Sequence, residues 1–121
     1  MSKHILDVGQ CGFDGPRLRR MLQDKLDATV DTANTLDEAL IKAAATDYAL
    51  VLVNRILNAD GSAGLAVIAA IRAEHPECKV MLVSDLPAAQ AEAQRLGALP
   101  GFGKAALSAT ATEDLLRRAL A

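Results

Sequence analysis

The segment YALVLVN, Tyr48–Asn54, is an apolar run that stops on an amide. Its apolar residues do not alternate with polar ones, so both faces of the strand it predicts, Tyr48–Val53, need cover, as in the middle of a parallel sheet. Parallel strands need crossover connections, and the flanking sequence supplies helices for them. Upstream, His4–Val8 reads as a strand, followed by a helix over Pro16–Leu26 with Leu18, Met21, Leu22 and Leu26 on one face. Pro16 suits a first helical turn after the Asp14-Gly15 break. Ala28–Ala33 reads as a weaker strand. Thr35 and Glu38 then form a capping-box pattern that opens a helix over Leu36–Ala45.

Downstream of Asn54, a loop to Ser62 leads to a helix over Leu65–Ala73, which ends at His75-Pro76. Lys79–Ser84 is another continuous apolar strand. Pro87–Leu96 is an alanine-rich helix with Gln90, Glu92, Gln94 and Arg95 mostly outward, stopped by Gly97, and Leu99–Gly103 reads as a short last strand. Thr110–Glu113 repeats the capping-box pattern and opens a final helix through Leu120. Five strands alternating with five helices predict an α/β fold, a doubly wound parallel sheet with helices on both faces. Ligands gather at the carboxyl ends of such strands, which directs attention to Gly9, Gln10 and Cys11, Asn54, Ser84 and Asp85, and Lys104.

The 121 residues suit one domain, residues 1–121, with 51% hydrophobic and 23% charged residues and a net charge of −2. That charge and only three aromatic residues, Phe13, Tyr48 and Phe102, argue against nucleic-acid binding. No apolar run approaches the roughly 18 residues needed to span a bilayer, and the start MSKHILDVG lacks the apolar segment of a signal peptide, so a cytoplasmic protein without membrane attachment is expected. Cys11 and Cys78 lack the clustered spacing of a zinc site and fall at opposite ends of the predicted strands, so both are expected as free thiols.

The runs LVLVN-RIL-N-ADGS-AGL, VMLVS and RLGALPGFGK, with ILDVGQ at the first strand, resemble the receiver domain of bacterial response regulators across essentially the whole chain. The resemblance implies a flavodoxin-like, CheY-like sheet of order 2-1-3-4-5. In that family a strand-end aspartate at the Asn54 position accepts a phosphoryl group. Two acids matching Gly9 and Gln10 hold Mg²⁺, a Ser or Thr at the Ser84 position follows the phosphoryl group, and a lysine at the Lys104 position binds it. Ala105 stands where the family usually has proline, and Phe102 lies one place from the usual aromatic switch.

The departures have chemical consequences. An amide at Asn54 lacks the charge of a carboxylate nucleophile. Magnesium prefers carboxylate oxygens, whereas Gly9 has no side chain and Gln10 offers a neutral carbonyl. With the three acids gone and the lysine kept, the pocket would carry about +1 at neutral pH. Lys104 reads first as a residue held by local hydrogen bonds; the sharper alternative is a small-anion or nucleotide site built from Lys104, Ser84, Gln10 and Asn54. Among displaced acids that could accept a phosphoryl group, Asp7 points into the first strand and calls for a partner. Asp60 suits an Asp-Gly turn, and Asp85 suits a cap for the helix at Pro87. His4 and His75 read as structural. Cys11 beside Lys104 raises redox sensing as a minor alternative. Gly9-Gln10-Cys11-Gly12 lacks the third glycine of a dinucleotide fingerprint, and Arg17, Arg19 and Arg20 read as a solvated helix face.

The sequence is therefore read as a degenerate receiver, or pseudo-receiver: not an enzyme, with no cofactor or metal, docking a protein partner independently of phosphorylation. The face that receivers generally use for partners maps onto Pro87–Leu96, Leu99–Gly103 and Glu113–Leu120, and a homodimer is the alternative assembly. The competing reading is a phosphoacceptor that uses a displaced acid.

Overall fold

The computed structural model describes residues Lys3–Ala121. Five parallel strands form one sheet in the order β2-β1-β3-β4-β5: β1 Lys3–Val8, β2 Ala28–Ala33, β3 Leu50–Asn54, β4 Val80–Val83 and β5 Leu99–Phe102. Five helices alternate with them: α1 Asp14–Leu26, α2 Leu36–Ala45, α3 Gly64–Glu74, α4 Pro87–Arg95 and α5 Thr110–Leu120. A short 3-10 turn at Lys104–Ala106 links β5 to α5. Among the described residues no helix is long and apolar enough to cross a membrane.

The unbroken apolar runs of β3 and β4 are buried along their whole length because each strand feeds two cores. Val51 and Val53 pack with Ala39, Val67, Ile68 and Ile71 of α2 and α3. Leu50 and Leu52 turn the other way, toward Leu18 and Leu22 of α1 and Leu116 and Leu120 of α5. Phe102 is buried in this second core beside Val83 and Leu107, with 6% of its surface exposed.

The two capping-box patterns behave differently. Thr35 Oγ1 accepts the Glu38 amide at 3.2 Å, as expected. At the second, Ala109 precedes α5 and no side chain caps it; Thr112 instead donates its hydroxyl to the Ala106 carbonyl at 2.7 Å. The 3-10 turn presents that carbonyl to the first turn of α5, and the nearest hydroxyl takes it. Asp85 also departs from its expected role. The Leu86 amide donates to Ser84 Oγ at 3.1 Å, and Asp85 accepts the Ala105 amide at 3.3 Å, tying the β4–α4 loop to the turn after β5.

Gln90 is the third correction, since it points inward. The pairing of β4 with β5 slips between Met81 and Val83, which leaves backbone groups without ladder partners. Gln90 Nε2 donates to the carbonyls of Leu82 at 2.9 Å and Ser84 at 3.0 Å, while its Oε1 accepts the Gly101 amide at 3.1 Å. The side chain completes the sheet edge from a helix.

Candidate functional site

The carboxyl ends of the strands frame two clefts. The first, about 300 Å³, is lined by Asn54, Ser84, Asp85 and Lys104, so the sequence-selected residues from β3, β4 and the turn after β5 do converge. Asn54 is 9% exposed, and its Nδ2 donates to the carbonyls of Gly9 at 3.1 Å and Ile56 at 2.7 Å. Two acceptors on one side fix which end of the amide is nitrogen.

Gly9 contributes that carbonyl and no room for an acid. Its φ is +79°, in the region that side chains rarely adopt, and a Cβ there would stand 2.3 Å from Leu57 Cδ2. The buried Leu57 side chain occupies the space an acidic side chain would need. Gln10 is absent from the lining of this cleft and lines the second. The magnesium ion implied by the fold therefore does not fit: neither position at the end of β1 brings a carboxylate, and the Asn54 nitrogen faces inward.

Lys104 is not the lone charge of the first cleft. Its Nζ lies 3.0 Å from Asp14 Oδ2 at the start of α1, and the Cys11 thiol donates to the same oxygen at 3.4 Å while its sulfur accepts the Asp14 amide at 3.3 Å. The bond to Lys104, and then that to Cys11, hold the Asp14 carboxyl below its ordinary range. The local charge is near zero rather than about +1. Asp14 sits in the first turn of α1 rather than directly after a strand, so the strand-end rule does not select it; an acid at the start of a helix at the same end of the sheet is the signal that points to it.

The second cleft, about 310 Å³, lies between β1, β2 and α1 and is lined by Asp7, Gln10, Arg19, Thr32, Asn34 and Asn58, among others. Asp7 is 2% exposed, and neither carboxylate oxygen has a hydrogen-bond partner, so the pairing expected of it is not found. Burial pushes its pKa up to about 7, against the opposing influence of Gln10, Arg19 and Lys104. The Gln10 amide lies near enough to favour the ionised carboxylate without closing a hydrogen bond of standard geometry, and its own Oε1 and Nε2 are buried and unpartnered.

The other candidates fall outside both clefts. Asp60 Oδ1 accepts the amide of Ser62 at 2.9 Å and its hydroxyl at 2.6 Å, shaping the turn as expected. His4 Nε2 stands 2.8 Å from Asp31 Oδ2 without hydrogen-bond geometry, and its ring meets Tyr48 edge-on at 4.9 Å. Tyr48 donates to Asp31 at 2.8 Å, and burial first, then that bond, push its phenol up to about 12. The His75 amide closes the last turn of α3 on the Ile71 carbonyl at 2.7 Å. Both cysteines are free, and among the described residues no three His, Cys, Asp or Glu side chains are grouped to hold a metal ion.

No protein-family model matches the sequence, and no curated protein matches it. Solved structures do. NtrX from Brucella abortus is 25% identical over 99% of this chain and 28% of its own, with a TM-score of 0.81. The receiver domain of that protein, solved alone, is 26% identical over 96% of this chain and 97% of its own, with a TM-score of 0.72. A response regulator from Burkholderia pseudomallei, with a phosphorylated aspartic acid, a calcium ion and citrate, is 25% identical over 98% of this chain and 74% of its own, with a TM-score of 0.73. The fold is that of a response-regulator receiver domain. These neighbours support a receiver domain of signal transduction, and the chain spans little more than a quarter of the full NtrX chain it matches. Of the positions that the receiver resemblance marks for phosphoryl chemistry, Asn54, Ser84 and Lys104 line the first cleft and Gln10 lines the second.

Proposed function

We propose that this receiver domain works without phosphorylation, as a protein-interaction module of a bacterial signalling system. The observation that carries the reading is the Asn54 amide, whose nitrogen is committed to the carbonyls of Gly9 and Ile56. A carboxylate in that place would set its oxygens against two other acceptors, so the surroundings suit the amide and oppose the acid. Leu57 in the space beside Gly9 and Asp14 on Lys104 support the same reading, because they use up the room of the metal ligand and the charge of the phosphate ligand. That pairing also weakens the anion or nucleotide alternative at Lys104. A displaced acceptor has little support, since Asp60 and Asp85 are each engaged in holding a loop and Asp7 is buried and lines the other cleft.

The partner face is assigned to α4, β5 and α5, with residues 1–121 acting as one cytoplasmic unit. Its support is a shallow groove of about 390 Å³ that includes Leu99, Pro100, Leu115 and Ala119, together with the exposed Leu96 at the end of α4. A second copy of the chain is the other occupant considered for this face. The test of phosphorylation independence is an amide NMR titration with Mg²⁺ followed by beryllium fluoride, which mimics an aspartyl phosphate. Amides around Asn54, Ser84 and Lys104 are expected to stay in place. Saturable shifts that require Mg²⁺ would overturn the proposal.

A further inference from the structure

The second cleft shares no lining residue with the first, and its polar groups are in a different condition. Asp7 lies nearly fully buried on β1 with both oxygens unpartnered, and the Gln10 amide beside it is unpartnered at both ends. Arg19 is half-buried on α1, leaning back over Gly15, where an added Cβ would stand 3.0 Å from its Nη1. Among the described residues, Arg19 pairs neither with Asp7 nor with any other carboxylate. A carboxyl group and a guanidinium thus line one cleft without pairing with each other.

The geometry points to a binding site for a small zwitterion of the α-amino-acid class, its ammonium on Asp7 and Gln10 and its carboxylate on Arg19. A buried carboxylate without a partner is costly, and a ligand ammonium would relieve that cost with a charge-assisted hydrogen bond. A simple cation would meet repulsion from Arg19, and a simple anion would meet repulsion from Asp7. A molecule carrying both charges satisfies both walls at no net charge. The remaining lining suits a polar ligand, because Thr32, Asn34 and Asn58 offer both donors and acceptors. At about 310 Å³ the cleft lies at the small end of ligand pockets. This goes beyond the interaction role proposed above and does not depend on it. Such a site would give a domain without a phosphoryl switch another input.

The test is an amide NMR titration of the full chain with the proteinogenic α-amino acids, added one at a time, against the wild type, Asp7→Asn and Arg19→Gln. At least one amino acid is expected to bind saturably with a dissociation constant below ~10 mM, shifting amides of Asp7, Gln10, Thr32 and Asn34. Each variant, confirmed folded by its own spectrum, is expected to weaken that binding about tenfold or more. The same amino acid blocked as its N-acetyl derivative or as its amide should bind about as poorly. No saturable shift with any amino acid would overturn the proposal. So would equal binding of the blocked forms, or undiminished binding by both variants.

Discussion

The two clefts at the carboxyl end of the sheet differ in how their polar groups are satisfied. In the first, Asn54 bonds two carbonyls, Lys104 pairs with Asp14, Asp85 holds the Ala105 amide and Ser84 holds the Leu86 amide. In the second, Asp7 is buried, and the four side-chain polar atoms of Asp7 and Gln10 are shut off from solvent without a partner. Satisfied buried groups need nothing further, whereas orphaned ones cost stability until a water, an ion or a ligand partners them. The receiver resemblance draws attention to the first cleft, yet the unpartnered groups of Asp7 and Gln10 lie in the second.

The largest test is to force the first cleft open. Gly9→Asp returns an acid to the end of β1, but it must take φ = +79° and displace Leu57, whose Cδ2 would lie 2.3 Å from the new Cβ. We expect a loss of about 4 kcal/mol, from backbone strain added to overpacking, measured by urea denaturation. Combining it with Asn54→Asp should restore no Mg²⁺ binding. A stable variant that binds Mg²⁺ would show that the cleft is a receiver site lacking only its acids.

How far the sequence foretold this contrast depends on how local each signal was. The strands and helices were legible because burial on two faces leaves unbroken apolar runs at β3 and β4, and β2 and α2 fall on their predicted bounds. Gln90 was not legible: a glutamine on an alanine-rich helix reads as solvated, and only the slipped pairing of β4 with β5 creates the carbonyls that draw it in. Convergence of Asn54, Ser84 and Lys104 followed from topology. The Asp14 partner and the Leu57 filling did not, since both depend on side chains from segments whose approach no periodicity encodes. Asp7 was recognised as a costly burial, but not that the fold would leave it unpaired.

The second test sharpens the other half of the contrast through pH. Burial raises the folded-state pKa of Asp7 from 3.8 to about 7, so the native state holds its proton more tightly than the unfolded chain does. That contribution to stability is fully present below about pH 4 and is lost as pH rises through about 7. Asp7→Asn removes the titration, so its stability relative to wild type should rise between pH 4 and pH 8 by on the order of 3 kcal/mol. Urea midpoints at the two pH values measure it. A flat difference would mean that Asp7 is ionised and compensated in the native state, and the two clefts would then be alike.

The smallest effect is expected at Lys104, the phosphoryl-binding position of the receiver resemblance. The ion pair with Asp14 is partly solvated, with 34% and 20% of the two side chains exposed, so Lys104→Ala should cost only about 0.5 kcal/mol at neutral pH. Because Lys104 lowers the Asp14 pKa, the pair contributes above the ordinary carboxylate range and is lost as pH falls through the folded-state value. The difference between wild type and variant should therefore vanish in acid, and the Asp14 titration, followed by its carboxyl carbon resonance, should move up toward an ordinary aspartate. Phosphate or sulfate should protect both proteins equally against urea. If protection is seen in the wild type and disappears with the lysine, Lys104 is free to bind anions despite Asp14, and the first cleft has to be counted as a ligand site alongside the second.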